Sequence, residues 1–306
     1  MAEQHVKPQG PQTTGHVWDG DLQEYNNPLP QWWLYGFYVT ILFALVYWIV
    51  YPAWPLGEGF TTGLNSITYV NSEGKEETWH WNTRAKLLKE TQAAAAQQKP
   101  WFDRIAQASY QQIVQDPELM GFVNSAGRAL FNDNCAGCHQ IGGAGKIGHY
   151  PNLADDNWIY GGSFEKIRET IVNGRQGYMP PFAEALSRDQ VEALAHYVLS
   201  LSGEPHDARL AAEGDKLFHS HTGACYYCHG SDAKGRQDIG AANLTDRIWV
   251  WADVSGARDM PAKVAAVRQV ILGGLNRGIM PAWGGRLNEE QIKVLTVYVH
   301  QLGGGQ

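Results

Sequence analysis

The chain has 306 residues, of which 44% are hydrophobic and 18% are charged, and its formal net charge is −7. At roughly 150 residues per domain, this length favours two domains. No segment concentrates the Lys and Arg side chains that neutralise phosphates, so we expect no nucleic-acid partner. The 12 Trp, 14 Tyr and 9 Phe exclude a chain that is disordered over most of its length.

The first predicted element is a membrane-spanning helix. No charged residue occurs between Tyr25 and Gly57, and Trp32 to Tyr51 form a 20-residue apolar run, long enough to cross a bilayer core of about 30 Å. Trp and Tyr crowd both ends, as in an interfacial aromatic belt. A cleaved signal peptide would be shorter, would begin earlier and would precede a small-residue cleavage site. We therefore predict a retained anchor at residues 32–54, preceded by an N-terminal segment, residues 1–31.

One stripe of this helix carries small residues. Gly36, Thr40 and Ala44 recur every four residues, a register that lets a second transmembrane helix approach closely. The alternative is that this face contacts only lipid, and the pattern alone does not decide between the two.

Residues 55–120 are predicted to form a helical spacer. Residues 55–81 are expected to be loop and short turns, and Thr83 is expected to cap a helix that ends before Pro100. A second helix is expected from Trp101 to Gln115, because Asp116-Pro117 is a typical boundary.

Two Cys-x-x-Cys-His motifs use all four cysteines of the chain. They are Cys135-Ala-Gly-Cys138-His139 and Cys225-Tyr-Tyr-Cys228-His229. The pattern is typical of covalent haem c attachment, in which the thiols form thioethers and the histidine binds the iron. A structural zinc site needs four ligands, and a thioredoxin-like redox pair does not explain the histidine. We therefore predict two covalently bound haem c groups with these histidines as axial ligands.

The chain repeats itself around the two motifs. The matching segments are Gly127-Arg-Ala-Leu-Phe131 with Gly214-Asp-Lys-Leu-Phe218, Asn152-Leu153 with Asn243-Leu244, Ile171-Val-Asn-Gly174 with Ile271-Leu-Gly-Gly274, and Met179-Pro180 with Met280-Pro281. Leu, Gln and Tyr then follow each methionine at the same spacing: Leu186, Gln190 and Tyr197, and Leu287, Gln291 and Tyr298. The register predicts an all-α fold, in which the anchor and spacer precede two tandem cytochrome c domains at residues 121–203 and 208–303.

The repeat also nominates the second axial ligand of each iron. Met179 and Met280 are each followed by proline in a short, glycine-containing segment, which suits a thioether held across a haem face. Met260 also precedes proline, but it lies outside the repeat register. The two domains are joined by the short Gly203–Asp207 linker, and they could pack so that the methionine loops exchange. The set of ligands is the same in both arrangements.

The carbonyl partner of each proximal histidine differs between the repeats. An axial imidazole usually donates its ring N–H to a backbone carbonyl. Tyr150-Pro151-Asn152-Leu153 offers a proline carbonyl, whereas the second repeat has Ala242 at the matching position. We expect this carbonyl to be less rigidly placed there.

The segments around the anchor and the motifs resemble one family. They are His16-Val-Trp-Asp-Gly20, Asn26-Asn-Pro-Leu-Pro-Gln-Trp-Trp33, Tyr51-Pro-Ala-Trp-Pro55, Asn152-Leu-Ala-Asp-Asp156, Trp158-Ile-Tyr-Gly-Gly162 and Gly278-Ile-Met-Pro-Ala-Trp283. Together they resemble the dihaem subunit of cbb3-type cytochrome c oxidases over essentially the whole chain. The resemblance implies an electron-transfer subunit that accepts electrons from a soluble cytochrome c and passes them, through a monohaem subunit, to the oxygen-reducing catalytic subunit.

The resemblance also implies a location. Covalent c-haem attachment takes place outside the bacterial inner membrane, so a single-pass protein is expected with its haem domains in the periplasm and residues 1–31 in the cytoplasm. No catalytic site is expected in this chain. The alternatives are a stand-alone membrane-anchored carrier or dehydrogenase cytochrome subunit, and a dihaem peroxidase. The paired Met-Pro loops disfavour the peroxidase, because that enzyme needs an open or displaceable haem face.

Overall fold

A computed structural model describes residues 12–276 and 279–303. The chain divides into two compact units, Met1–Gln97 and Gln98–Gln306. Helices dominate the described residues, and each sheet consists of two short strands. This composition confirms the all-α prediction.

The first unit contains the predicted anchor as a 20-residue helix, α1 (Gln31–Val50). Among the described residues, it is the one helix long and apolar enough to cross a membrane, with a mean hydropathy of 1.9. The helix ends at Val50, because Tyr51 is extended and Pro52 has no N–H to continue the ladder. Residues 51–54 of the predicted anchor therefore lie outside the helix. A hairpin of β1 (Thr13–Trp18) and β2 (Leu22–Tyr25) precedes it.

Residues 55–81 form hairpins, which corrects the prediction of loop and short turns. The strands are β3 (Pro55–Leu56), β4 (Gly59–Phe60), β5 (Ser66–Val70) and β6 (Glu76–His80). The longer hairpin turns at Asn71, whose side-chain oxygen accepts the N–H groups of Glu73 and Lys75 at 2.9 and 3.0 Å. Gly74 supplies the positive φ of this turn, +77°.

The next helix, α2 (Thr83–Gln107), runs through Pro100, so the predicted break at this proline is wrong. Proline removes one N–H from the ladder. The Ala96 carbonyl that loses its partner belongs to an exposed residue, so water can satisfy it. Asn82 caps the helix instead of Thr83, because its side-chain oxygen accepts the Ala85 N–H at 2.8 Å.

The second unit contains both haem motifs. Its further helices are α3 (Tyr110–Gln115), α4 (Pro117–Asn134), α5 (Ala136–His139), α6 (Phe164–Asn173), α7 (Arg188–Leu201), α8 (Ala208–Phe218), α9 (Tyr226–His229), α10 (Met260–Gly273) and α11 (Glu289–Leu302). A 3₁₀ turn covers Ile141–Gly143, and the strands β7 (Arg175–Gln176) and β8 (Ile279–Met280) form one small ladder.

The first core joins helices from both sequence repeats. Helix α11, from the second repeat, packs on α4 and α6 of the first repeat. Phe131 and Tyr298 lie in this core with ring centroids 5.7 Å apart. Gly127 allows the close crossing, because a Cβ there would lie 2.8 Å from the Cβ of Tyr298.

The second core shows the reciprocal arrangement. Helix α7, from the first repeat, packs on α8 and α10 of the second repeat. Phe218 and Tyr197 have ring centroids 5.3 Å apart, and Gly214 lies against Tyr197 as Gly127 lies against Tyr298. Residues 121–203 and 208–303 are therefore sequence repeats that each supply their last helix to the other core.

The connection between α7 and α8 explains this exchange. Helices joined by only a few residues pack as antiparallel neighbours, and α8 begins shortly after Leu201. Buried His196 accepts the Asp207 N–H at 3.0 Å, and Lys263 pairs with Glu204 at 2.5 Å. Both contacts hold the connection against the second core.

Candidate haem-binding site

Each haem motif folds as a single helical turn. The Cys135 carbonyl accepts the N–H groups of Cys138 and His139 at 3.1 and 2.9 Å. The Cys225 carbonyl accepts those of Cys228 and His229 at 3.2 and 2.9 Å. Side chains three residues apart lie on the same side of a helical turn. The turn therefore presents both thiols of a motif on one side, as attachment to a single macrocycle requires.

The surroundings of the four thiols differ within each pair. The second cysteine of each motif is exposed, whereas the first is partly buried. Burial raises the pKa of Cys135 to about 11, with a smaller contribution from Cys138. Burial likewise raises the pKa of Cys225 to about 11. These thiols are therefore neutral at physiological pH, and they lie beside an apolar cavity.

The two proximal histidines are held in the same way. Nδ1 of His139 donates to the Pro151 carbonyl at 3.1 Å, and Nδ1 of His229 donates to the Ala242 carbonyl at 2.9 Å. Burial lowers the pKa of both rings, partly offset by these bonds. A neutral ring that donates from Nδ1 keeps the lone pair of Nε2 free for a metal.

Two glycines that the sequence analysis did not single out place these carbonyls. The N–H groups of Gly145 and Gly235 donate to the backbone carbonyls of His139 and His229, both at 2.8 Å. Both glycines have positive φ, +67° and +81°. A Cβ at either position would overlap the chain at Pro151 or at Ala241 and Ala242. Each glycine lies six residues after its histidine, and this shared spacing could have identified both glycines from the sequence.

The methionine segments cross between the two repeats. Arg175 pairs with Met280, and Met179 pairs with Leu275, both antiparallel. The Trp283 N–H donates to the Ile171 carbonyl at 3.0 Å, and the Phe182 N–H donates to the Ile271 carbonyl at 3.1 Å. Each methionine segment is thus fixed to the helix end of the other repeat.

Two further glycines make this approach possible. Gly174 and Gly274 end α6 and α10 with φ of +69° and +62°. A Cβ at Gly174 would overlap the Met280 carbonyl, and one at Gly274 would overlap the Met179 carbonyl. Met280 consequently packs against the first core, as Cys135 also does.

One cavity of about 650 Å³ brings the predicted site residues together. Its described wall includes both cysteine pairs, both proximal histidines, Met179 and Met280, and most of the wall is apolar. Met260 does not belong to this described wall. It is instead the first residue of α10 and is 38% exposed.

The cavity wall also contains polar groups that suit a haem. The indole N–H groups of Trp158 and Trp249 are buried and have no hydrogen-bond partner among the described residues. The two tryptophans lie at matching repeat positions and both line the cavity. A buried unsatisfied donor is costly, and a haem carries carboxylates that could accept from it. The apolar wall, the thiols and the unsatisfied donors therefore fit haem c.

Two family models match the chain. The N-terminal domain of cytochrome oxidase-cbb3, FixP, matches residues 10–58. Cytochrome C oxidase, cbb3-type, subunit III, matches residues 123–198 and 209–299. The first match covers the anchor with its flanks, and the second covers both haem motifs and both Met-Pro segments.

Curated relatives resemble the chain over nearly their full length. A cbb3-type cytochrome c oxidase subunit FixP from Azorhizobium caulinodans is 40% identical, over 97% of this chain and 94% of the relative. Subunit CcoP from Cereibacter sphaeroides is 39% identical, over 98% and 97%. Subunit FixP from Bradyrhizobium diazoefficiens is 40% identical, over 97% and 96%. With the family models, these relatives show that the chain belongs to the subunit III family of cbb3-type cytochrome c oxidases.

Proposed function

We propose that the chain is a membrane-anchored dihaem cytochrome that relays electrons from a soluble cytochrome c towards the catalytic subunit of a cbb3-type oxidase. The observation that carries the proposal is the doubled site. Each motif combines two thiols on one helical turn, a carbonyl-bound imidazole and a methionine segment on the same cavity wall.

The four cysteines would hold the two haem groups covalently. Cys135 and Cys138 would bind one, and Cys225 and Cys228 the other. When bound, haem iron alternates between the ferrous and ferric states and so carries one electron. The two thiols of each motif would fix the haem relative to the motif histidine, and the apolar wall would keep water away from it.

The axial pairs are proposed to be exchanged between the repeats. His139 would share its iron with Met280, because Met280 and Cys135 both pack against the first core. His229 would share its iron with Met179, whose segment continues into Phe182 and Leu186 at the second core. The repeat register left both pairings open, and these contacts favour the exchanged one.

Two protein ligands on each iron favour a carrier over an enzyme. A six-coordinate haem mainly passes electrons, whereas a peroxidase needs an open or displaceable face. A carbon monoxide difference spectrum of the reduced, purified chain tests this point. We expect no carbon monoxide complex at either haem, and stoichiometric formation of one would refute the carrier assignment.

The proposed topology follows from the anchor and the haem chemistry. Helix α1 would cross the bacterial inner membrane once. Residues 1–31 would be cytoplasmic and the haem domains periplasmic, where covalent c-type attachment takes place. Fusing a reporter that is active only in the periplasm after Gly303 should give signal, and fusing it before α1 should give none.

The proposed partners are the catalytic and monohaem subunits of the oxidase. The relatives are named as subunits of such oxidases, and the match at residues 10–58 includes the anchor flanks, which a generic haem domain would not require. A tag on this chain should co-purify an oxygen-reducing enzyme with b-type haem. Purification of the chain alone, from mildly solubilised membranes that contain the oxidase, would favour a stand-alone carrier.

A further inference from the structure

The two methionine segments face unlike residues across their ladders. Arg175 lies opposite Met280, and its counterpart in the second repeat, Leu275, lies opposite Met179. Residues directly opposite one another in an antiparallel pair project their side chains to the same face. The first site thus has a cation beside its methionine where the second has an alkyl group.

The Arg175 guanidinium is fixed and mostly shielded from water. Its side chain is 20% exposed and lines the haem cavity. Nε donates to Thr170 Oγ1 at 2.9 Å, and Nη1 donates to Glu169 Oε1 at 3.0 Å. The guanidinium also stacks 4.6 Å from the ring centre of Tyr160. Among the described wall residues, Arg175 is the one Lys or Arg.

Neighbouring charges do not cancel this cation. Glu169 also pairs with Lys166 at 2.9 Å, so the three side chains together carry one positive charge. Glu169 is 39% exposed, and water therefore screens its charge more than that of Arg175. Among the described residues, the counterparts of these three in the second repeat are Ala266, Gln269 and Leu275, which carry no charge, whereas Arg277, between Leu275 and Met280, lies outside the described residues.

Carboxylates near the cavity do not reverse the contrast. Asp246 is the one carboxylate on the described wall. Burial raises the pKa of Asp155 in the first repeat, and Asp156 and Asp246 add to this effect. The charge of Asp246 therefore affects groups in both repeats. The Arg175 guanidinium, in contrast, is hydrogen-bonded to side chains of α6, which packs in the first core.

We propose that Arg175 makes the two haem sites electrically unequal and gives the haem on Cys135 and Cys138 the higher reduction potential. A ferric haem carries one more positive charge than a ferrous haem, so a shielded cation beside it favours the reduced form. In a chain that holds one electron, this electron then resides on the first-motif haem. The proposal rests on the dihaem carrier function and on the exchanged pairing of His139 with Met280, and it adds the order of the two potentials.

A redox titration of the full-length, detergent-purified chain tests the proposal. The Met280→His change, which lowers the potential of its own haem, identifies the first-motif wave. We expect this wave to be the higher one in the wild type. Arg175→Leu should shift it down and leave the lower wave in place, Arg175→Lys should shift it less, and Leu275→Arg should raise the lower wave. Arg268→Leu, which removes an exposed arginine paired with Glu192, is the matched control.

Two results would overturn the proposal. In the first, Met280→His shifts the wave of lower potential and not the higher one. In the second, Arg175→Leu gives the same two potentials as the wild type. If the Arg175→Leu variant loses haem, the same titration is made on Arg175→Gln, which removes the charge but keeps a donor for Thr170. An unchanged higher potential in that variant would also overturn the proposal. Failure of the carrier function itself has a different signature, because the wild type would then contain fewer than two haem groups or would bind carbon monoxide.

Discussion

His229 donates from Nδ1 to the Ala242 carbonyl at 2.9 Å, and thereby reproduces without a proline the bond from His139 to Pro151. The backbone explains why the contact survives. Gly235 binds the carbonyl of His229 and lies against Ala241 and Ala242. The loop closure fixes the acceptor, so proline adds rigidity to a position that is already defined.

Restoring the proline should therefore stabilise the second site. Ala241 is bridged to Arg236 and is extended there, which suits a residue before proline. We expect Ala242→Pro to raise the free energy of unfolding by about 0.4–1 kcal/mol, because it restricts the unfolded chain. The measurement is a denaturant titration followed by haem absorbance. A lower midpoint with loss of methionine ligation would show that Ala242 needs a conformation closed to proline.

The glycines at the ends of α6 and α10 should control methionine ligation across the repeats. Gly174→Ala places a Cβ on the Met280 carbonyl at a positive φ, a strain of about 1–3 kcal/mol. We expect it to weaken methionine ligation at the first-motif haem, and Gly274→Ala to do so at the second. The thioether–iron absorption band and two-dimensional NMR of the haem methyl groups report each site. Gly121→Ala is the control, since a Cβ there meets nothing within 4 Å. Loss of ligation at the second-motif haem in Gly174→Ala would contradict the exchange.

His219 should give stability a pH dependence. Its pKa is raised by the bond to the Ser231 carbonyl and then by bonds to Asp215. A raised pKa in the folded state stabilises the protein fully below the unfolded value of about 6.5. This contribution is lost as the pH rises through the folded pKa. The effect is modest because the side chain is 38% exposed. The denaturation midpoint of His219→Gln should therefore fall less steeply between about pH 6 and 8 than that of the wild type. If the midpoint of the variant depends on pH as the wild type's does, other groups cause the fall.

The small-residue stripe of the anchor is expected to matter for assembly and not for insertion. Gly36 has open space around it, so Gly36→Leu with Ala44→Leu should keep α1 intact and both haem groups bound. Close packing does most to hold helices together in lipid. We therefore expect weaker co-purification of the oxidase, measured against a Leu42→Ile and Val46→Leu control in the same helix. If the double variant co-purifies with the oxidase as the wild type does, the small-residue stripe contacts lipid and not a partner helix.

The sequence predicted the chemistry of the site more fully than its packing. Repeated residues had local causes that a pattern reveals. Gln190 and Gln291, for example, are the third helical residues in capping boxes whose N-caps are Ser187 and Asn288. The exchange of α7 and α11 leaves the repeat register unchanged, so the register could not reveal it. The short α7–α8 connection did indicate the exchange, because a short connection favours packing of the two consecutive helices against each other.

Two errors in the secondary structure predicted from the sequence have specific local causes. In the hairpin at 66–80, β5 alternates polar and apolar residues from Ser66 to Tyr69, before the turn at Asn71 and Gly74, and this pattern was readable as a strand. Pro100 predicts a helix end, yet the carbonyl that it leaves without a donor belongs to exposed Ala96 and can bind water. Burial of that carbonyl could not be judged from the sequence.

The most direct test of the electron relay is the oxygen consumption of the purified oxidase fed by reduced soluble cytochrome c. The chain is compared as wild type and as Met179→His with Met280→His, at equal subunit and haem content. Lower potentials make electron entry from the donor unfavourable, so the relay predicts a fall in rate of about tenfold or more. An unchanged rate with both potentials lowered would mean that electrons reach oxygen without passing through this chain.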